Sequence, residues 1–325
     1  MAIVFASNSI ADFVGAVIST TASRRRTAYV ARSFEQKGSG SFITNSAFTQ
    51  ISPVAGDVTW IHFQYAKTWP FQNGSSDGSA VLELRSVTDT LILDFDMQDG
   101  NLRIRLFGSS TLVVNVTGKM DGTFMAVDLK IDLTTDISVE LFIDGVSKYN
   151  ESQAWTSSPG NPGRIFWRIF DATDFGTISQ YVSELIVADE DTTGMGLAEM
   201  VPNAAGNYGE WQGDHAATGD SETGTGVSTD AINQKLSSDL STSIGPSSSA
   251  LRALVVNTKA SVRGGTVGEL RNFLRIDGTD YNGADMGADG DIKNHITVWD
   301  TNPDTASDWD TTDFSGVEIG IESRA

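Results

Sequence analysis

The strongest constraint on this chain is a pair of Asp-Gly steps, each set between two apolar or alternating runs. Residues 88–106 read T-D-T-L-I-L-D-F-D-M-Q-D-G-N-L-R-I-R-L, and residues 137–149 read I-S-V-E-L-F-I-D-G-V-S-K-Y. A two-residue hairpin loop that matches strand twist needs positive φ, which glycine adopts without steric cost. Leu91, Leu93 and Phe95 alternate with Ile92, Asp94 and Asp96, and on the return Leu102, Ile104 and Leu106 alternate with Arg103 and Arg105. Period two with one apolar face describes half-buried antiparallel strands. Asp99-Gly100 and Asp144-Gly145 are therefore expected to be hairpin turns in an all-β domain.

The same reading extends over the first 200 residues. A-Y-V-A-R-S-F precedes G-S-G, S-F-I-T-N-S-A-F-T-Q-I follows, and Trp60, His62 and Gln64 then alternate with Ile61, Phe63 and Tyr65. Further strands are expected at 79–87, 124–133, 164–170 and 181–188, the last as the closing strand. That makes about ten to twelve strands with turn signals between them, the pattern of a sandwich. Abundant glycine (32) beside sparse proline (7) suits turns rather than disorder.

Composition shifts after Pro202. Residues 203–230 are Gly, Ser, Thr and acid with almost no aliphatic content, the signature of a linker or a surface arm, with Trp211 as its one large anchor, available to a pocket on the first domain. Residues 231–240 read as one short, marginal helix. Strand patterns resume from Ala250, and between Asp277 and Glu322 twelve acids face a single Lys293. The expected organisation is a domain over 1–202, a linker over 203–230 and a smaller acidic β-sandwich over 231–325.

Charge and cysteine content narrow the function classes. Net charge is −20, which disfavours DNA or RNA as a partner, since phosphate contacts need clustered Lys and Arg. The one basic cluster, Arg24-Arg25-Arg26, reads as a solvated turn or a salt-bridged interface. There is no cysteine, so disulfides and thiolate metal sites are excluded. No apolar run approaches the roughly 18 residues of a membrane span, so no membrane insertion is expected. The apolar N-terminus lacks a basic segment ahead of it and carries Asp12, the wrong polarity for a secretion signal. It reads as a first strand or a docking segment, and the chain as cytosolic or released without a signal.

No catalytic set emerges. Glycoside hydrolysis needs two facing carboxylates. Asp94 and Asp96 form a D-x-D on one strand face, but residue 98 is Gln and no third acid follows. His62, His215 and His295 are scattered, with no H-x-x-x-H and no G-x-S-x-G elbow. No metal site is expected. Ca²⁺ has one candidate stretch, 277–291, with Asp277, Asp280, Asp285, Asp289 and Asp291, which departs from the EF-hand pattern and reads equally as acid-rich turns. Glycan binding would use aromatics that stack on sugar faces, with amides for the hydroxyls. Trp69, Gln72 and Asn73 (beside Phe71) and Trp155 (near Asn161) fall in expected loops and are the candidate glycan-binding residues; the alternative places both tryptophans in a core or interface.

Two resemblances follow from particular segments. W-I-H-F-Q-Y at 60–65, D-G-N-L at 99–102, F-I-D-G-V at 142–146 and Y-V-S-E-L-I-V-A-D at 181–189 resemble the concanavalin-like, laminin-G-type jelly roll. S-E-L-I-V-A-D-E-D-T-T-G-M at 183–195, V-P-N-A-A-G-N-Y-G-E-W-Q-G at 201–213, V-W-D-T-N-P-D-T-A-S-D-W-D at 298–310 and V-E-I-G-I-E at 317–322 resemble a family of structural proteins from tailed phages. That resemblance implies a virion location, other virion proteins as partners, a homo-oligomer of trimeric symmetry, and an adhesive or structural role with a host-surface glycan as ligand. It shows no catalytic site and carries no binding residue across.

Overall fold

The computed structural model of the chain describes residues 3–7, 17–18, 34–38, 47–51, 53–67, 79–98, 101–106, 112–115, 125–155, 158–167, 178–198, 200, 202–213, 226–240, 251–261, 266–287, 290 and 293–325. All regular structure among them is β-strand. The chain forms two compact units, Met1–Leu197 and Ala198–Ala325.

The first unit holds β1 (Ile3–Ser7), β2 (Val17–Ile18), β3 (Phe34–Gly38), β4 (Ala47–Gln50), β5 (Val58–Lys67), β6 (Ser79–Ser86) and β7 (Leu91–Gln98). It continues with β8 (Asn101–Leu106), β9 (Leu112–Asn115), β10 (Met125–Asp132), β11 (Ile137–Ile143), β12 (Val146–Gln153), β13 (Pro162–Trp167) and β14 (Ile178–Ala188). One sheet runs β12-β11-β10-β5-β14-β3-β2, with β1 also on β14, and the other runs β4-β13-β6-β7-β8-β9. All pairings are antiparallel, as the alternation implied, and the two sheets make the jelly-roll sandwich that the resemblance implied.

The Asp-Gly reading holds where the structure describes it. Ile143 pairs with Val146, and Asp144 and Gly145 bridge them at φ 49° and 74°. The Asp144 carboxylate accepts the Ala126 amide at 3.0 Å, and the Asp144 amide donates to the Ala126 carbonyl at 2.9 Å, so the turn is tied to the neighbouring strand. Gln98 pairs with Asn101, and Asp99-Gly100 between them lies outside the described residues. Along β11, Ile137, Val139, Leu141 and Ile143 are buried, and Ser138, Glu140 and Phe142 between them are half-buried. Ile61, Phe63 and Tyr65 of β5 and Val127, Leu129 and Ile131 of β10 form the same apolar face, with Leu82, Leu84, Leu93, Ile104 and Ile165 buried in the other sheet. Each such side chain contributes about 1.5–3 kcal/mol by leaving water.

One detail of this unit departs from the sequence reading: the expected closing strand, β14, lies inside its sheet, between β5 on one side and β3 and β1 on the other. Residues 3–7 are a first strand, one of the two readings of the N-terminus, and pair with β14 as β1, burying Ile3 and Ala6.

The second unit holds β15 (Pro202–Gly209), β16 (Lys235–Leu240), β17 (Leu254–Ala260), β18 (Glu269–Ile276), β19 (Thr279–Gly287), β20 (Lys293–Trp299) and β21 (Glu318–Arg324). A five-stranded sheet, β15-β16-β21-β18-β19, is joined by a two-stranded ribbon, β17-β20. Leu240, Leu274, Ile276 and Val317 pack with Leu254 and Val256 of the ribbon and with Trp309 and Phe314. Those two rings stack 5.2 Å apart, and the Trp309 indole N–H donates to the Trp299 carbonyl at 2.8 Å. The acidic tryptophan loop of the sequence motif is thus a plug on this core.

Here the sequence reading is corrected. Residues 202–209 are no linker but the edge strand of the five-stranded sheet, paired to β16. They lack large aliphatic side chains, and backbone pairing to β16, with Asn207 bonded to Glu318 and Tyr208 to Asp280, orders them instead. Residues 214–225 lie outside the described residues. Trp211 packs on Leu236, Val267, Leu270 and Ile321 of its own unit and donates to the Gln234 carbonyl at 3.0 Å, rather than anchoring to the first unit. The expected helix at 231–240 is a turn followed by β16, whose place between β15 and β21 outweighs a marginal helical preference.

Gly320 in the V-E-I-G-I-E motif has a packing reason. A Cβ there would collide with the ring of Phe273, which is fully buried and has nowhere to swing. Gly320→Ala is expected to destabilise the second unit by about 1–3 kcal/mol, and Phe273→Leu in the same chain to restore part of the loss. Urea unfolding checks this: additive effects of the two substitutions would contradict the collision.

Candidate functional site

In β5 the residues that face away from the core are Trp60, His62 and Gln64, and all three are buried. Register places Asp128 of β10 beside His62, and the pair makes a 2.8 Å contact from Asp128 Oδ1 to His62 Nδ1, both side chains fully buried. A carboxylate only accepts, so the Nδ1–H donates. The Thr192 hydroxyl donates to the same Oδ1 at 2.9 Å. Trp60 stacks on Phe142 of β11 at 5.8 Å, with the Lys130 ammonium 5.9 Å from its ring.

Thr192 belongs to no strand. It sits in a strap, residues 189–197, that leaves the end of β14 and doubles back over this face. The Asp191 carboxylate accepts the Thr193 amide at 2.8 Å, the Thr192 carbonyl accepts the Met195 amide at 2.9 Å, and Gly194 at φ 80° completes the reversal. The Thr193 methyl lies 3.7 Å from where a Cβ on Gly145 would stand. The strap then returns, and the Leu197 amide donates to Glu184 Oε2 at 3.1 Å. Glu184 is itself buried at φ 55°, in the bulge where β14 shifts register against β5 between Ser183 and Ile186. Non-glycine residues in the left-handed region cost of order 1–3 kcal/mol and persist where surrounding contacts hold them. Under the strap, His62 Nε2, Asp128 Oδ2 and Gln64 Nε2 are buried with no hydrogen-bond partner.

Outside the core of the other sheet, β7 carries Asp94, the nearer member of the sequence's D-x-D. Its cross-strand neighbours are Glu83 on β6 and Arg105 on β8, and Asp96 stands opposite Arg103. Two carboxylates thus face each other across strands, Glu83 with Asp94, a pairing that no single-strand pattern displays. Glu83 is buried and ion-paired to Arg85, whose guanidinium lies 5.7 Å from the Phe166 ring. Arg164 reaches Asp89 at 3.5 Å.

The acid-rich stretch at 277–291 also resolves into ion pairs. Asp277-Gly278, at φ 48° and 84°, forms the β18–β19 turn. Asp280 accepts from the Tyr208 hydroxyl at 2.9 Å, from Lys235 at 2.7 Å and from Arg275, and Asp285 lies 3.7 Å from both Arg271 and Arg324. Asp289 and Asp291 lie outside the described residues. Among the described residues no group of three or more His, Asp or Glu could hold a metal ion. Asp280 and Asp285 of the Ca²⁺ stretch are thus engaged by cations and, at Asp280, a phenol.

Of the glycan-binding residues expected from sequence, Trp69, Gln72 and Asn73 lie outside the described residues. Trp155 is half-buried just beyond β12. Asn161 is occupied internally, donating to the Val54 and Gly56 carbonyls at 3.2 and 3.0 Å. His295 is buried, and His215 lies outside the described residues. No helix among the described residues is long and apolar enough to cross a membrane.

No protein-family model and no curated protein matches the chain. Solved structures resemble it at low identity. An endo-β-1,4-glucuronan lyase from the fungus Trichoderma reesei is 11% identical, with 59% of this chain and 98% of that one covered and a TM-score of 0.44. The receptor-binding domain of botulinum neurotoxin D is 10% identical over 58% of this chain, TM-score 0.40. The binding domain of Paraclostridial Mosquitocidal Protein 1 is 12% identical over 57%, TM-score 0.41. The chain spans less than half the length of those two toxin structures.

Partial burial opposes ionisation of Asp280, but the hydrogen bonds from Lys235, Arg275 and Tyr208 outweigh it and hold the carboxyl below its usual range. A depressed carboxyl stabilises the fold above its unfolded value, about 3.9, and that contribution is lost as pH falls through the folded value. At pH 7 Asp280→Asn should therefore lower the melting temperature of the second unit by roughly 3–6 °C. Calorimetry from pH 7 down to 3 should show the gap between variant and parent closing below about pH 4. A gap that stays constant across that range would contradict the ion-pair assignment.

Proposed function

We propose that this chain is a non-enzymatic structural component of a tailed-phage particle, in a tail, fibre or head appendage. It acts by protein–protein assembly as a homotrimer, with a host-surface glycan as ligand of the first unit. The segments that resemble phage structural proteins support the virion role. The non-enzymatic part rests on one observation: the catalytic-type groups described in the first unit are committed to internal contacts. Asp128 accepts hydrogen bonds from both His62 and Thr192, and among the described residues no hydroxyl is bonded to the imidazole as a nucleophile needs. Glu83 is held by Arg85, and Asp94 stands opposite Arg105. The net charge of −20 supports a protein or glycan partner over nucleic acid.

A second reading, a polysaccharide depolymerase, is favoured by one observation, the cross-strand placement of Glu83 and Asp94. The two readings separate by assay. Incubated with host capsule or envelope polysaccharide, the chain should release no reducing ends. Release that disappears in Glu83→Gln or Asp94→Asn would establish the depolymerase instead. Light scattering on the purified chain should give three times the 34.7 kDa chain mass, and a monomer at all concentrations would remove the trimer.

A further inference from the structure

The orphaned polar atoms under the strap lie together on one sheet face. His62 Nε2, Asp128 Oδ2 and Gln64 Nε2 have no hydrogen-bond partner, and their side chains are at most 2% exposed. Leaving a buried donor or acceptor unmade costs about 1–3 kcal/mol, so a face whose only task was to seat the strap would not be expected to keep three of them. The strap is tied to the sheet where the Thr192 hydroxyl donates to Asp128 and where the Leu197 amide donates to Glu184. The second attachment ends on the strained, buried Glu184.

We propose that this face is a glycan-binding floor and that residues 189–197 are its displaceable cover. The proposal rests on the adhesive part of the function given above, and it moves the site from the loop tryptophans to the sheet. An imidazole nitrogen, a carboxylate oxygen and an amide N–H, side by side, offer the mixture of acceptors and donors that adjacent sugar hydroxyls satisfy. Charge selects the sugar class. Asp128 and Glu184 bring two carboxylates to the Lys130 ammonium that lies over Trp60, a balance that disfavours uronates and suits a neutral hexose oligosaccharide. Binding requires the strap to lift, so apparent affinity is reduced by the fraction of time the floor is uncovered.

The chain has no cysteine, which allows a clean lock. A Cβ at 145 would lie 3.7 Å from the Thr193 side chain, within reach of a disulfide in Gly145→Cys/Thr193→Cys. The full chain is first applied to an array of neutral hexose, N-acetylhexosamine and uronate oligosaccharides, and the tightest hexose oligosaccharide is then titrated by calorimetry. The oxidised double variant should bind it at least tenfold more weakly than the same protein after reduction, a comparison in which any strain at Gly145 cancels. Thr192→Val, which removes one strap attachment, should bind about tenfold more tightly than the parent, because the cover opens more readily. Gln64→Leu should weaken binding without lowering the melting temperature. Equal binding by oxidised and reduced protein, or no gain in Thr192→Val, would overturn the floor while leaving glycan adhesion standing elsewhere on the chain. Preference for uronates would overturn the sugar class. Binding to none of the oligosaccharides by any form would overturn both the floor and the adhesive reading.

Discussion

The first unit is organised around β5, a strand buried on both faces. Ile61, Phe63 and Tyr65 enter the core, while Trp60, His62 and Gln64 occupy the opposite face at no more than 7% exposure. Its two neighbours, β10 and β14, are fixed against it over most of its length, and β11 and β12 hang on β10 in turn. A strand buried twice ordinarily reads as a continuous apolar run. Here the second face is polar, so the register has to deliver a partner to each polar group or leave it bare. Asp128 is delivered to His62; Gln64 receives nothing at its amide nitrogen. The strap exists in its observed form because Asp128 has a second proton to accept, from Thr192.

Most of the first unit was legible because its strands obey period two and its turn residues name their own geometry. Asp144-Gly145 adopts the positive φ pair that its chemistry implies. The polar candidates were harder. Asp94 was visible, but its facing carboxylate, Glu83, belongs to another strand, and only the register of β6 on β7 brings the two together. His62 and Asp128 are 66 positions apart and meet for the same reason. The strap gave no periodic signal, since its form comes from Asp191, Gly194 and two distant acceptors rather than from burial of apolar residues.

The second unit reverses the balance. Its sheet carries Lys235, Arg271, Arg275 and Arg324 among Asp280, Asp285, Glu318 and Glu322, and Phe273 lies in their midst over Gly320. Lys235 stands 5.2 Å from the Phe273 ring and 5.0 Å from that of Tyr208, which meets Phe273 edge-on. The long stems of the cations cover the aromatic pair while their heads reach the acids. Local composition hid this arrangement. The stretch 203–213 lacks aliphatic residues, so a reading by hydrophobic pattern assigns it to a linker, yet the Asn207 amide and side chain both donate to Glu318, and Gly206 leaves room for that carboxylate.

The grip of Glu318 on β15 has a consequence for how the chain is made. β21 lies in the middle of the five-stranded sheet, between β16 and β18, although it is the last of the seven strands in sequence. A ribosome therefore delivers β15, β16, β18 and β19 before the strand that joins them exists. Pairing of β18 with β19 through the Asp277-Gly278 turn is local and can form at once, whereas β15 and β16 can pair with each other but must wait for β21 before they join β18 in one sheet. During synthesis the first unit can finish its sandwich while the second is still a hairpin and an unpaired ribbon edge, so the order of folding along the polypeptide follows the order of the units.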